Sequence, residues 1–229
     1  MKIEKIESIA IDIDGTLTGE DRRLDCAAVE AIRKLSIPVI LVTGNVICFA
    51  SAASKLVGTS GEVIAENGGV VKLDFDGEEV ILGDKKICLA AYDHLKDLLN
   101  LEMIDMRYRK SEVALKRGFD VGSARDLLKG DLLKDFNVDI VDSGFAVHIK
   151  KKGINKLTGL SYVSERRGWD LKKTVAIGDS GNDAEVIRGV GFGIAIGNAE
   201  EDLKEIADYV TLKDHGEGVV EALEYLGLV

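Results

Sequence analysis

Read from its amino end, the chain alternates short β-branched apolar runs with longer stretches whose apolar positions recur at helical spacing. Residues 8–13, Ser-Ile-Ala-Ile-Asp-Ile, form the first such run and end in a Gly-Thr turn, the pattern of a buried parallel strand. A helix is predicted over 26–35, a second strand over 37–42 with Pro38 near its start, a helix over 45–57 and a third strand over 63–65. Such alternation predicts a doubly wound sheet. The pattern changes at Gly69, where residues 70–75 and 79–82 flank Asp76-Gly77, a strong hairpin signal. An amphipathic helix over 84–99 follows, then strands over 112–115, 138–141 and 145–149 with a helix over 123–133 between them. From 154 the first pattern returns: helix 154–166, strand 174–177, helix 182–188, strand 193–196, helix 200–206, strand 209–212 and helix 217–226. The expected fold class is therefore α/β, a doubly wound, Rossmann-like parallel-sheet core over 1–82 and 153–229, interrupted by a smaller inserted α+β cap over 83–152.

Composition narrows what such a fold does. With 229 residues, 46% of them hydrophobic, the chain can bury one substantial core and a modest insert. A net charge of −10 gives no basic field for nucleic acid or an anionic membrane surface, although one cleft can still be made cationic locally. The charged start, Met1-Lys2-Ile3-Glu4-Lys5-Ile6-Glu7, is unlike a signal or transit peptide, and no apolar run reaches membrane-spanning length, so a cytoplasmic protein is expected. Cys26, Cys48 and Cys88 are too few and scattered for a disulfide framework or a paired metal site.

The residues with chemical promise gather at predicted strand ends. Asp12 and Asp14 close the first strand two residues apart, so both side chains point the same way, into the crevice where open α/β sheets bind ligands. Their repulsion calls for a divalent cation, a shared proton or both. Gly15 and Thr16 supply a turn whose backbone donors and hydroxyl suit a phosphate oxygen. Taken alone, an acid pair after a strand is more often turn or capping chemistry. Thr43 ends the second strand before a helix N-terminus, where a hydroxyl is also an ordinary cap. A second acidic cluster, Gly178-Asp179-Ser180-Gly181-Asn182-Asp183, follows the strand over 174–177; it lacks the terminal Glu and flanking helices of a calcium loop. Lys156 opens the helix that re-enters the core, a position that is solvated in most proteins but here offers a cation to offset carboxylates and phosphate.

Together these segments resemble the haloacid dehalogenase superfamily, whose phosphatases carry Asp-x-Asp-Gly-Thr, a Thr or Ser ending the second strand, a Lys, and Gly-Asp-x-x-Asn-Asp, in that order. Glu66-Asn67-Gly68-Gly69, followed by an insert before Lys156, is similar to the subgroup whose cap lies between the second and third motifs. That subgroup contains sugar-phosphate phosphatases, phosphomannomutases and archaeal phosphoglycolate phosphatases. The short cap, with Ser143-Gly144-Phe145-Ala146-Val147-His148-Ile149 and the Lys-Gly segment after it, looks most like the last of these. The resemblance implies a phosphoric monoester hydrolase acting on a small phosphate monoester, 2-phosphoglycolate first among them, with a sugar-phosphate phosphatase or a phosphomutase as the alternative. It implies Asp12 as nucleophile forming an aspartyl-phosphate and Asp14 as general acid and base. It further implies Mg2+ on Asp12, the Asp14 carbonyl, Asp179 and Asp183, with Thr43, Lys156 and Asn182 on the phosphoryl oxygens.

In the cap, Arg107, Arg109 and Arg117 are expected on the solvated surface, with a substrate carboxylate as their alternative partner. His148 is expected on a strand face toward solvent or a partner, outside the chemistry. A phosphoacceptor signalling module is a more remote alternative, since its acceptor ends a third strand rather than a first. The run Gly189-Val190-Gly191-Phe192-Gly193 has its third glycine one residue early for a dinucleotide fingerprint. Oligomeric state is left open between a monomer and a homodimer through the cap or an edge strand.

Overall fold

In the computed structural model, which describes residues 5–130 and 136–229, the strand at the centre is β1 (Ser8–Asp12), buried along its whole length. It pairs in parallel with β2 (Val39–Val42) on one side and with β10 (Thr174–Gly178) on the other. Beyond β2 lie β3 (Val63–Ala65), parallel, and the antiparallel hairpin of β4 (Val70–Lys72) and β5 (Glu79–Ile81). Beyond β10 lie β11 (Phe192–Ala195) and β12 (Tyr209–Val210), both parallel. The eight-stranded order is β12-β11-β10-β1-β2-β3-β4-β5. The chain leaves β1 toward β2 in one direction and returns through β10 in the other, so the carboxyl end of β1 sits at the point where strand order reverses.

The period of two along these strands divides the core. Ile9, Ile11, Leu41, Val63, Ile177 and Ile194 pack on one face against α1 (Cys26–Arg33), α2 (Ile47–Val57) and α8 (His215–Tyr225). Ala10, Ile40, Val42, Ile64 and Ala176 face the other side, against α5 (Lys156–Arg167), α6 (Ala184–Gly189) and α7 (Glu201–Lys204). Helix boundaries follow local capping. The Asp25 carboxylate caps α1, Asn155 and Thr158 form a capping box at α5, and Gly58 ends α2 in the left-handed region at φ 89°.

The insert has a core of its own. Its antiparallel sheet runs β6 (Met103–Ile104), β7 (Val113–Leu115), β9 (Val147–Lys151), β8 (Val138–Asp142), with α3 (Lys85–Leu99) and α4 (Val121–Gly130) packed on it. Cys88, Leu95, Val113, Leu115, Val147 and Ile149 fill the space between.

The fold class is the expected one, an α/β sheet with a separate antiparallel cap insert. Several boundaries differ. The helix expected from residue 45 starts at Ile47, because the Asn45 side chain accepts from Val46 N at 2.8 Å and holds that residue outside the helix. The strand expected through residue 75 ends at Lys72, and the helix expected at 182 begins as a 3-10 turn over Gly181–Asp183. The two-residue β6 was not anticipated, and residues 131–133 of the helix expected over 123–133 lie outside the described residues.

Candidate active site

Asp12 is the last residue of β1, and its carboxylate is 5% exposed at the floor of the crevice. Lys156, the first residue of α5, is 1% exposed and places Nζ 2.6 Å from Asp12 Oδ1, 2.5 Å from Asp183 Oδ1 and 3.1 Å from Asn182 Oδ1. The loop after β10 is folded by its own side chains: Asp183 Oδ2 accepts from the backbone N–H groups of Asp179 and Ser180, and Ser180 Oγ donates to Asn182 Oδ1 at 2.7 Å. This turns three acids toward one point. Asp12, Asp179 and Asp183 each offer a carboxylate oxygen within 4.8 Å of the others.

Backbone shape matters here at one glycine in particular. Gly15 adopts φ +92°, and a Cβ at that position would overlap Asp179 Oδ2. The left-handed turn lets the Asp12-Asp14 loop approach the second acidic loop closely. Its carbonyl is held from the far side by Asn198 Nδ2 at 3.1 Å and His215 Nδ1 at 2.7 Å. His215 carries no motif, and its position in a region expected to be loop gave no signal of this contact.

The electrostatics are those of a crowded anion cluster. Burial first, and then Asp183, Asp179 and Asp14, push Asp12 well above the usual carboxylate range despite the opposing Lys156 ammonium. Burial and Asp183 raise Asp179 to about 6, opposed by the Thr16 hydrogen bond. Burial disfavours the Lys156 charge, but Asp12 and Asp183 outweigh it and hold the ammonium above its ordinary pKa. One buried ammonium does not balance four carboxylates, Asp14 included. An all-oxygen donor set of converging carboxylates that remains underneutralised suits a hard divalent cation.

The structure brings every predicted site residue into this region, with two corrections of detail. Thr16 Oγ1 donates to Asp179 Oδ1 at 2.6 Å, and Gly15 N donates to Thr18 Oγ1 at 3.1 Å, so these two donors of the turn are paired within the protein. Thr43 Oγ1 donates to Asp14 Oδ2 at 3.0 Å and accepts from Asn45 N at 2.9 Å. It therefore orients Asp14 and caps its own turn at once.

Two cap expectations are overturned. His148 faces neither solvent nor a partner: it is 2% exposed, with Nδ1 2.7 Å from Glu112 Oε1 and Nε2 3.0 Å from Ser143 Oγ. Arg109 is not a surface residue but is 5% exposed, ion-paired to Glu112, and donates to the Gly44 carbonyl at 3.0 Å. Both line a cavity of about 100 Å³ shared with Asp12, Asp14 and Asn182. Arg107 and Arg117 are exposed as expected, the latter paired with Asp142. Glu112 is the pivot of this buried group. Burial opposes its charge, but His148, Arg109 and Asn67 together hold its carboxyl below the usual range. Asn67 also accepts from Asn182 Nδ2 at 3.0 Å and donates to Glu112 at 3.1 Å, joining cap and core.

Comparisons with known proteins agree with this geometry. The family pattern of haloacid dehalogenase-like hydrolases matches residues 9–117 and 120–223. The chain is 52% identical to a phosphoglycolate phosphatase of Archaeoglobus fulgidus, over 98% of this chain and 99% of the relative. A phosphoglycolate phosphatase of Methanosarcina mazei is 44% identical over 97% of each chain. Among solved structures, protein 0175 of Thermoplasma acidophilum superposes with a TM-score of 0.87 at 26% identity, covering 99% of this chain and 100% of that one. The sugar phosphatase BT4131, at 19% identity and a TM-score of 0.76, shares the fold over 97% of this chain and 100% of its own.

Proposed function

The chain belongs to the haloacid dehalogenase-like hydrolases, and we propose that it is a Mg2+-dependent phosphatase hydrolysing 2-phosphoglycolate to glycolate and inorganic phosphate. The observation that carries this reading is the convergence of Asp12, Lys156, Asp179 and Asp183 beside a small cavity lined by Asp12 and Asp14. Relatives that share nearly the full length and bear the name phosphoglycolate phosphatase support the substrate.

In this reading a carboxylate oxygen of Asp12 attacks phosphorus, the P–O ester bond breaks, and Asp14 gives its proton to the departing glycolate oxygen. Asp14 then takes a proton from water as that water attacks the aspartyl-phosphate; the bond between phosphorus and Asp12 breaks and phosphate leaves. Thr43 holds Asp14 in place for both transfers. Lys156 offsets part of the burial that opposes the Asp12 charge, and with Asn182 it exchanges protein partners for phosphoryl oxygens when substrate binds. Asp12, Asp179, Asp183 and the Asp14 carbonyl would hold Mg2+, which would supply the charge that lets two anions meet. The cap, bounded at residues 83 and 152, acts as the lid that excludes bulk water. A cytoplasmic setting belongs to the same reading, in keeping with three free cysteines.

The test is phosphate release from a panel of monoesters with Mg2+, containing 2-phosphoglycolate, sugar phosphates and an aryl phosphate, with isomer formation followed in parallel. Preference for 2-phosphoglycolate with stoichiometric phosphate supports the reading. Sugar phosphates turned over faster by orders of magnitude, or isomers formed without phosphate release, would replace it.

A further inference from the structure

Arg109 and His148 are the buried nitrogen-bearing side chains on the cap wall of the cavity, and Glu112 lies against both. Arg109 Nη1 donates to the Gly44 carbonyl and to Glu112, while its Nε–H is buried without a hydrogen-bond partner. A buried guanidinium N–H left unmatched is costly, and it leaves Arg109, which lines the cavity, with hydrogen-bonding capacity that the protein does not use. Beside it, His148 Nε2 lies 3.0 Å from Ser143 Oγ, which is itself 3.1 Å from the Ala146 carbonyl. His148 Nδ1 faces the Glu112 carboxylate. Glu112, held below the usual carboxylate range by its neighbours, is shared between Arg109 and His148.

We propose that Arg109, with His148 beside it, is the specificity-determining site that takes the carboxylate of a short phosphorylated hydroxy acid. The inference rests on the phosphatase reading above and names the group that selects its substrate. A cavity of about 100 Å³ is far smaller than one built for a large ligand, so phosphate and carboxylate must be close together in the molecule that fills it. The opposite wall supplies the phosphoryl end, at Asp12 and Asn182. Two other charged side chains line the space, Arg22 and Asp105; both are exposed, and Arg22 lies over the Phe145 ring at 5.1 Å. Water screens both of them more than it screens Arg109, which is why the assignment falls on the buried cation.

The experiment compares kcat/KM of the full chain with Mg2+ for 2-phosphoglycolate and for its neutral amide, 2-phosphoglycolamide. Wild type should prefer the acid by at least about thirtyfold, which is about 2 kcal/mol at 1.4 kcal/mol per tenfold. In Arg109→Met the ratio should fall to within about threefold. Arg109→Lys, which keeps the charge opposite Glu112 but loses the planar fork, should give an intermediate ratio, and it carries the test if Arg109→Met does not fold. His148→Gln should lower the ratio as well. A wild-type ratio near one overturns the inference while leaving the phosphatase reading intact, and so does a ratio retained in both Arg109 variants or lost only in Arg22→Ala. No phosphate release from any monoester overturns the phosphatase reading itself, and this inference with it.

Discussion

Stripping the protein of divalent cation and moving the pH through 6 isolates the repulsion among its acids. In the metal-free fold Asp179 titrates at about 6, against an ordinary 3.8, because it is desolvated and lies beside Asp183. Between those two values the folded protein holds a proton that the unfolded chain has released. Stability therefore falls as pH rises, by about 1.4 kcal/mol per pH unit and about 3 kcal/mol across the window from 3.8 to about 6, and is flat above it. Asp12, raised by burial and the same neighbours, adds to the slope with the same sign. Glu112, lowered from 4.5, has its stabilising effect complete above that value and leaves the interval from pH 5 to 6 unchanged. A bound cation reverses the trend, since it competes with the proton for the same oxygens and binds more tightly as they ionise. The assay is urea unfolding at pH 5, 6 and 7, in chelator and in excess MgCl2, on wild type and Asp179→Asn. Relative to Asp179→Asn, metal-free wild type should lose about 1 kcal/mol between pH 5 and 6, where the group is already partly ionised, and Mg2+ affinity should weaken toward about tenfold per unit below pH 6. Equal pH slopes in the two proteins would refute the argument.

Other perturbations test separate parts of the site. Asp12→Asn should lower phosphate release by roughly 10⁴-fold or more with an unchanged circular dichroism spectrum, and full activity would remove its role as nucleophile. Lys156→Met leaves Asp12 and Asp183 without their shared ammonium and should destabilise the metal-free protein by about 3–5 kcal/mol in denaturant titrations, with a smaller loss in Mg2+. Gly15→Ala combines a left-handed backbone with overlap onto Asp179; it should weaken Mg2+ binding at least about tenfold by calorimetry and lower the Tm, the backbone term alone being about 1–2 kcal/mol.

How much of this could be read in the chain depended on how local the cause was. The strand at 8–12, the hairpin around Asp76-Gly77 and the helix from Lys156 are written in neighbouring residues, and the acids at strand ends follow from period and topology. His148 was misplaced for a definite reason. The implied chemistry needed no histidine there, so the residue was expected on a strand face toward solvent or a partner. Residues 147 to 150 of that strand are all buried, so period-two alternation could not separate its faces. The partners that bury Arg109 and His148 are Gly44, Ser143 and Glu112, and the link on to the core runs from Glu112 through Asn67, 45 residues away in sequence. Contacts of that range leave no local pattern. Thr16 was assigned to the right loop but the wrong partner, because the approach of the second acidic loop is set by the left-handed turn at Gly15.

The pairing of β1 with β10 bears on how this protein is made. Ser8 finds its neighbour Thr174 only after most of the polypeptide has left the ribosome. At about 5–20 residues per second, the first strand waits on the order of ten seconds with one edge bare. Such an edge is a template for pairing with another chain, which makes the nascent protein a natural client for chaperones during synthesis. A fragment ending before residue 174 should accumulate as aggregate, even though it contains the nucleophile.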